Sequence, residues 1–134
     1  MDNQLDKLNS RFLFRAWDKR SKQMVKSGVQ FNNSSMELVA IDDLVLMQCT
    51  SLKDKNGKFI YEGDIVTWKR KEPSRDTHYA VVFWDAMKAG FYLCPVHMYP
   101  RWIDYKSSIR QEFINGPKKE IIGNIYESPE LLKQ

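Results

Sequence analysis

The chain is poor in the groups that most reactions and metal sites need. It has two histidines, His78 and His97, and neither has a second histidine or a cysteine at metal-ligand spacing, which disfavours zinc. Its two cysteines, Cys49 and Cys94, each sit inside an apolar run, LVLMQCT and GFYLCP. A lone cysteine in a strand behaves as a small buried hydrophobe, so free thiols are expected rather than a disulfide. The six glycines are scattered, and no G-x-x-x-x-G-K-[ST], G-x-G-x-x-G or G-x-S-x-G arrangement occurs. Phosphate-cradling loops and nucleophile elbows are therefore not expected. No apolar run approaches the ~20 residues that a membrane-spanning helix requires. The N-terminal stretch MDNQLDKLNS has no apolar centre of the kind a secretory signal carries, which points to the cytoplasm.

Close carboxylates are confined to Asp42-Asp43 and Glu62-Gly63-Asp64. A metal nuclease needs two or more carboxylates converging on one point. The glycine between Glu62 and Asp64 marks a corner, where an aspartate tends to accept hydrogen bonds from nearby backbone amides. The expectation is a protein with no catalytic residue, no cofactor and no metal.

What the chain does contain is ordinary globular material. Its 134 residues suit one compact domain or a domain with a small subdomain. Hydrophobic residues make up 43% and charged residues 28%, enough for a real core. Net charge is +4 and the sequence pI is about 9.0, which permits contact with a polyanion without requiring it.

Strand patterns and turn signals alternate along the chain. Residues 1–10 read as a polar arm. Phe12 to Trp17 reads as a strand, DKRSKQ as a turn, and Met24-Val25 as a short partner strand. Asn32 to Ser35 marks another turn. Leu44 to Thr50 reads as a largely buried strand. KDKNGK follows, and its Asn56-Gly57 supplies the positive φ angles of a tight hairpin. Phe59 to Tyr61 leaves that turn, and Gly63 marks a corner or bulge. Ile65 to Arg70 alternates, with Val66 and Trp68 on one face. Tyr79 to Trp84 is apolar on both faces and suits a covered strand. Phe91 to Pro95 and Glu120 to Tyr126 are the last strands. Ser128-Pro129 is the start signal of a short terminal helix. Short strands separated by turns predict a mainly β fold: an SH3-like β-barrel over 63–134, an N-terminal β-hairpin subdomain over 11–62 and a short C-terminal helix. Residues 97–119 are expected to form a long loop with a helical turn near 107–113.

Two surfaces are candidates for binding. Lys53, Lys55 and Lys58 lie in the hairpin turn, and Lys69, Arg70, Lys71 and Arg75 follow the next strand. Brought together beside Trp68 they form a basic lip that would neutralise phosphates while the indole stacks on a base. Lysine-rich turns also serve simply to keep hairpin tips soluble and sheet edges unpaired. The loop HMYPRWIDY carries Tyr99, Trp102 and Tyr105. Such a loop either folds back on its own sheet or meets a partner, and a homo-oligomer is expected through it or through the residue 12–25 hairpin.

Three separated pieces resemble the YopX family, small proteins encoded by phages and prophages. Phe14-Arg15-Ala16-Trp17-Asp18 with Met24 resembles its opening hairpin. Leu46-Met47-Gln48, Thr50, Leu52-Lys53-Asp54, Asn56-Gly57-Lys58, Ile60 and Tyr61-Glu62-Gly63-Asp64-Ile65-Val66 follow its central motif. Ile122-Gly123-Asn124-Ile125-Tyr126-Glu127 with Pro129-Glu130-Leu131-Leu132 follows its closing motif. The family pattern has a glycine where Ser51 stands and an aromatic where Cys49 stands, and the first departure bears on the tightness of that bend. The resemblance implies an SH3-like barrel and a phage or prophage source, and supplies no reaction. The resulting expectation is a non-enzymatic accessory protein, a β-rich binding module in the host cytoplasm. Its partner is a second copy, a host or phage protein or, as the alternative, nucleic acid.

Overall fold

A computed structural model describes residues 13–25, 43–68, 78–96, 99 and 118–133. The protein is mainly β. Eight strands form two antiparallel four-stranded sheets. They are β1 (Phe14–Asp18), β2 (Gln23–Val25), β3 (Leu44–Lys53), β4 (Phe59–Tyr61), β5 (Asp64–Trp68), β6 (His78–Asp85), β7 (Gly90–Pro95) and β8 (Ile121–Asn124). The first sheet has the order β2-β1-β3-β4 and the second β7-β6-β5-β8. A 3-10 helix, Pro129–Lys133, stands where a short helix was expected. No helix among the described residues is long and apolar enough to cross a membrane. The arm 1–10, the turn at 32–35 and most of the loop 97–119, His97 and its helical turn included, lie outside the described residues.

β6 explains how the second sheet holds two cores. Ala80, Val81, Val82 and Phe83 are all buried, so both faces of the strand are covered, as its unbroken apolar run predicts. On one face Val66, Ala80, Val82 and Leu93 meet Ile60 of β4, with Leu52 of β3 packed alongside. The two sheets thus share this core. On the other face Ile65, Val81 and Val96 are covered by Tyr79, Tyr99, Ile122, Ile125, Leu131 and Leu132. Full burial of a side chain such as Ile65 or Val81 contributes about 1.5–3 kcal/mol, so these two layers supply most of the driving force. β8 carries a bulge: Ile65 pairs with Gly123 and Val66 with Ile121, leaving Ile122 as the extra residue. Ile122 and Ile125 are consequently half-buried rather than central.

β3 is longer and more exposed than its apolar run suggests. It pairs with β1 through Leu44–Gln48 and with β4 through Cys49 and Lys53, and Met47 and Cys49 are its fully buried residues. The partner changes between Gln48 and Cys49, and a register shift follows between Cys49 and Lys53. Ser51 takes φ +69, its amide donates to Cys49 Sγ at 3.4 Å, and its hydroxyl is buried without a hydrogen-bond partner. A serine thus sits in a left-handed conformation that costs a non-glycine residue about 1–2 kcal/mol.

The hairpin tip follows. The Gly57 amide donates to the Asp54 carbonyl at 3.0 Å, with Gly57 at φ +82. Asn56 does not share that conformation, so Gly57 alone carries the left-handed step. Asp54 is 4% exposed and organises the loop. Its Oδ1 accepts the amides of Asn56 (2.9 Å) and Lys58 (3.0 Å), and its Oδ2 accepts the amide of Ile121 (3.1 Å). Burial disfavours its charge, but the amides of Ile121, Lys58 and Asn56 and the Lys58 charge outweigh that cost and hold the carboxyl below its ordinary value.

Opposite substitutions test the two left-handed positions. Ser51→Gly should stabilise by about 0.5–1 kcal/mol, the relieved strain and lost orphan hydroxyl exceeding glycine's greater freedom in the unfolded chain. Nothing lies within 4 Å of a Cβ built on Gly57, so Gly57→Val should cost about 1–2 kcal/mol from backbone strain alone. Urea midpoints read both, and an unmoved Ser51→Gly midpoint would refute the strain.

Asp54→Ala should cost about 2–3 kcal/mol, and more than Asp54→Asn, which keeps the Oδ1 acceptor. Because the folded carboxyl titrates lower than the unfolded one, its contribution is complete above the ordinary carboxylate value. It is lost as pH falls through the lowered folded value. The acid limb of the wild-type stability curve should therefore be steeper than that of Asp54→Asn.

Candidate functional site

The corner between the two sheets is built from Tyr61-Glu62-Gly63-Asp64. Gly63 takes φ +85, donates to the Val82 carbonyl at 2.8 Å, and accepts the Ile125 amide at 2.9 Å. Asp64 closes the turn by accepting the Tyr61 amide on Oδ2 at 2.8 Å. This is the local backbone role expected of an aspartate at a glycine corner. Its other oxygen, Oδ1, lies 2.8 Å from Arg15 Nη2, with the two side chains 2% and 7% exposed. The same Nη2 donates to the Glu62 carbonyl at 3.0 Å, and the guanidinium lies 5.0 Å from the centre of the Tyr61 ring.

Glu62 turns the other way. Its Oε1 accepts the Gln48 amide at 3.0 Å, and its amide donates to the Gln48 carbonyl at 2.9 Å. Burial raises its carboxyl above the ordinary value, with the Gln48 amide and the Arg15 charge pulling partly back. Trp17 of β1 stacks on Tyr126 at 5.6 Å between centroids, a second tie between the sheets.

A cleft of about 380 Å3 opens beside this corner. Phe59, Tyr61 and Ile121 form its apolar walls, with Gly123 between them. Arg15, Lys58, Asp64, Asn124 and Glu127 supply the polar groups. Asn124 is mostly committed: its Oδ1 accepts the amides of Tyr126 (3.0 Å) and Glu127 (2.8 Å), and its Nδ2 donates to Glu127 Oε1 at 2.8 Å. Lys58 is exposed and makes no ion pair among the described residues.

Arg15 is the residue that sequence reasoning missed. It reads as one arginine on an alternating strand, and its partner lies 49 positions away. An arginine flanked by Phe14, Ala16 and Trp17 was the signal, because such a position becomes buried unless the strand is an edge.

The basic lip distributes itself differently from the sequence expectation over the described residues. Lys53 Nζ lies 5.0 Å from the centre of the Phe59 ring. Lys55 Nζ is 3.0 Å from Glu120 Oε2, so its charge is already met. Lys58 faces the cleft. Trp68 ends β5, and its side chain, with Lys69, Arg70, Lys71 and Arg75, lies outside the described residues. In the aromatic loop, Tyr99 packs on its own sheet against the Val96 and Phe83–Cys94 clusters, while Trp102 and Tyr105 lie outside the described residues.

A second exposed surface is the β6–β7 hairpin. Trp84 and Met87 are 45% and 92% exposed, and Trp84 meets Phe91 edge-on at 5.1 Å. The covered-strand pattern extended through Trp84, but the strand runs past the core before it turns.

Both cysteines are free and buried; burial pushes the Cys94 thiol up to about 11 and raises Cys49 as well, so neither is a thiolate at neutral pH. Among the described residues no group of three His, Cys, Asp or Glu side chains could hold a metal ion.

The fold is shared with the crystal structure of protein EF1440 from Enterococcus faecalis, at a TM-score of 0.58 and 24% identity, over 89% of this chain and 96% of that one. No curated protein matches the chain. The YopX protein family matches residues 29–133, which takes in the corner, the hairpin tip and the closing strand. Of the nine cleft residues, seven (Arg15, Lys58, Tyr61, Asp64, Gly123, Asn124 and Glu127) are among those that carry the resemblance, from three pieces distant in sequence. Over most of its length, residues 29–133, the chain belongs to the YopX family.

Proposed function

We propose that this chain is a non-enzymatic phage or prophage accessory protein, a small β-rich binding module acting in the host cytoplasm. In this reading strands β5–β8 with the end of β3 and β4 make an SH3-like barrel, and the cleft beside Arg15 is its binding face. One observation carries it: seven residues of the family resemblance, drawn from three pieces of the chain, line one concave site of about 380 Å3. Folding requirements explain Asp64 and Asn124, but not an exposed Lys58 lining the same cleft as Phe59 and Tyr61.

Self-association belongs to the same reading. Val25 and Leu46 flank Ala16 in one row across the first sheet and are each 38% exposed. A second copy would cover this row as it would the residue 12–25 hairpin. Nucleic-acid binding is the alternative reading. It is favoured by Lys53 and Lys58 standing beside Phe59 at an exposed hairpin tip.

Capture from induced host cells by the full chain separates these classes. A protein partner should be retained after nuclease treatment and lost with Lys58→Glu, while a partner that disappears with nuclease supports the alternative. That alternative also requires binding to single-stranded DNA or RNA that weakens steeply with salt, since phosphate neutralisation releases counterions. Light scattering across a concentration series should show a mass above that of the monomer, and Leu46→Glu should reduce it; a monomer at every concentration removes self-association.

A further inference from the structure

We infer that the cleft receives the carboxylate of an acidic side chain on an extended peptide, an inference that rests on reading the cleft as a binding face. The first ground is an unmade bond. Arg15 makes its ion pair and its carbonyl bond through Nη2, while its Nε is buried with no hydrogen-bond partner. A buried guanidinium N–H without an acceptor burdens the fold, and an arriving acceptor relieves it. Arg15 lines the cleft, so the occupant best placed to supply that acceptor is a ligand.

The second ground is charge. Arg15 and Lys58 are cationic, and Asp64 and Glu127 anionic. Asp64 is spent on Arg15 and on the Tyr61 amide, and Glu127 is held by the Asn124 amide. Lys58 makes no ion pair among the described residues, and its charge also acts on Asp54. The four formal charges cancel, so a singly charged carboxylate beside Lys58 meets less repulsion from Asp64 and Glu127 than a dianionic phosphate does. A planar carboxylate also suits a guanidinium better than a point contact does.

The third ground is shape. Phe59, Tyr61 and Ile121 line the same cleft with apolar surface, which suits the methylene stem of a glutamate more than a bare inorganic anion. The carboxylate would sit with its oxygens toward Arg15 and Lys58, and its stem along the aromatic walls. No covalent step is involved.

The test follows backbone amide NMR signals of the full chain at Lys58, Tyr61, Asn124 and Glu127. Three probes are titrated: N-acetyl-Ala-Glu-Ala-amide, N-acetyl-Ala-Gln-Ala-amide and inorganic phosphate. The glutamate peptide should shift these amides saturably, and the glutamine peptide and phosphate should bind about tenfold more weakly, the worth of one charge-assisted hydrogen bond. Lys58→Gln, an exposed position that leaves the fold intact, should weaken the glutamate peptide by about the same factor. If the two peptides bind equally, the acid preference is wrong while the cleft still binds peptide. Phosphate binding best overturns the peptide assignment. No shift from any probe overturns the inference, and host-cell capture then decides separately whether the cleft binds anything.

Discussion

The ion pair between Arg15 and Asp64 is the constraint on which the rest of the molecule depends. Both groups are almost wholly withdrawn from water, at 7% and 2% side-chain exposure. A buried pair of this kind adds little over a well-packed apolar pair, but losing one partner strands a charge and costs about 3–5 kcal/mol. Against the ~5–15 kcal/mol total stability of a small domain, that loss is enough to unfold a marginal chain. Asp64 also closes the corner that Gly63 turns, and Arg15 also holds the Glu62 carbonyl. Backbone, charge and cleft therefore share the same two side chains.

Around that pair the chain distributes its apolar surface in two layers. Because β6 is buried on both faces, the second sheet needs cover on each side. Ile60 and Leu52 from the first sheet supply one cover, and Leu131 and Leu132 of the closing 3-10 helix help supply the other. The hairpin tip is tied into this frame by Asp54, which reaches the Ile121 amide, and by Lys55, which reaches Glu120. Lys58 is thus displayed from a fastened loop, and a side chain held in this way loses less freedom on meeting a ligand.

Much of the fold was legible because its signals are local. Asn56-Gly57, Gly63 and the doubly apolar run of β6 each act over a few residues, and the structure places strands and turns where they indicate. Errors arose where partners are distant. β3 read as buried because its run is apolar, yet its partner changes from β1 to β4 after Gln48, and Leu46 is exposed. Trp84 read as covered because nothing nearby marks where the core ends. The cleft was invisible for the same reason: its residues read as turn and core in each of three pieces, and only their convergence makes a concave surface. Lys58 alone was singled out from sequence, as part of a lip in which Lys53 sits over the Phe59 ring, Lys55 pairs with Glu120 and the other members lie outside the described residues.

The placement of Arg15 on β1 has a further consequence for where this protein can be divided. The stretch matching the family begins at residue 29, eleven positions after β1 ends. A fragment trimmed to that boundary would keep the corner, the hairpin tip and β8. It would nevertheless bury Asp64 without its cation, remove one wall of the cleft and leave Tyr126 without Trp17 against its ring. Strand β1 is therefore an inseparable part of the recognisable unit, and any exchange of modules between related chains has to carry it along with the corner it neutralises.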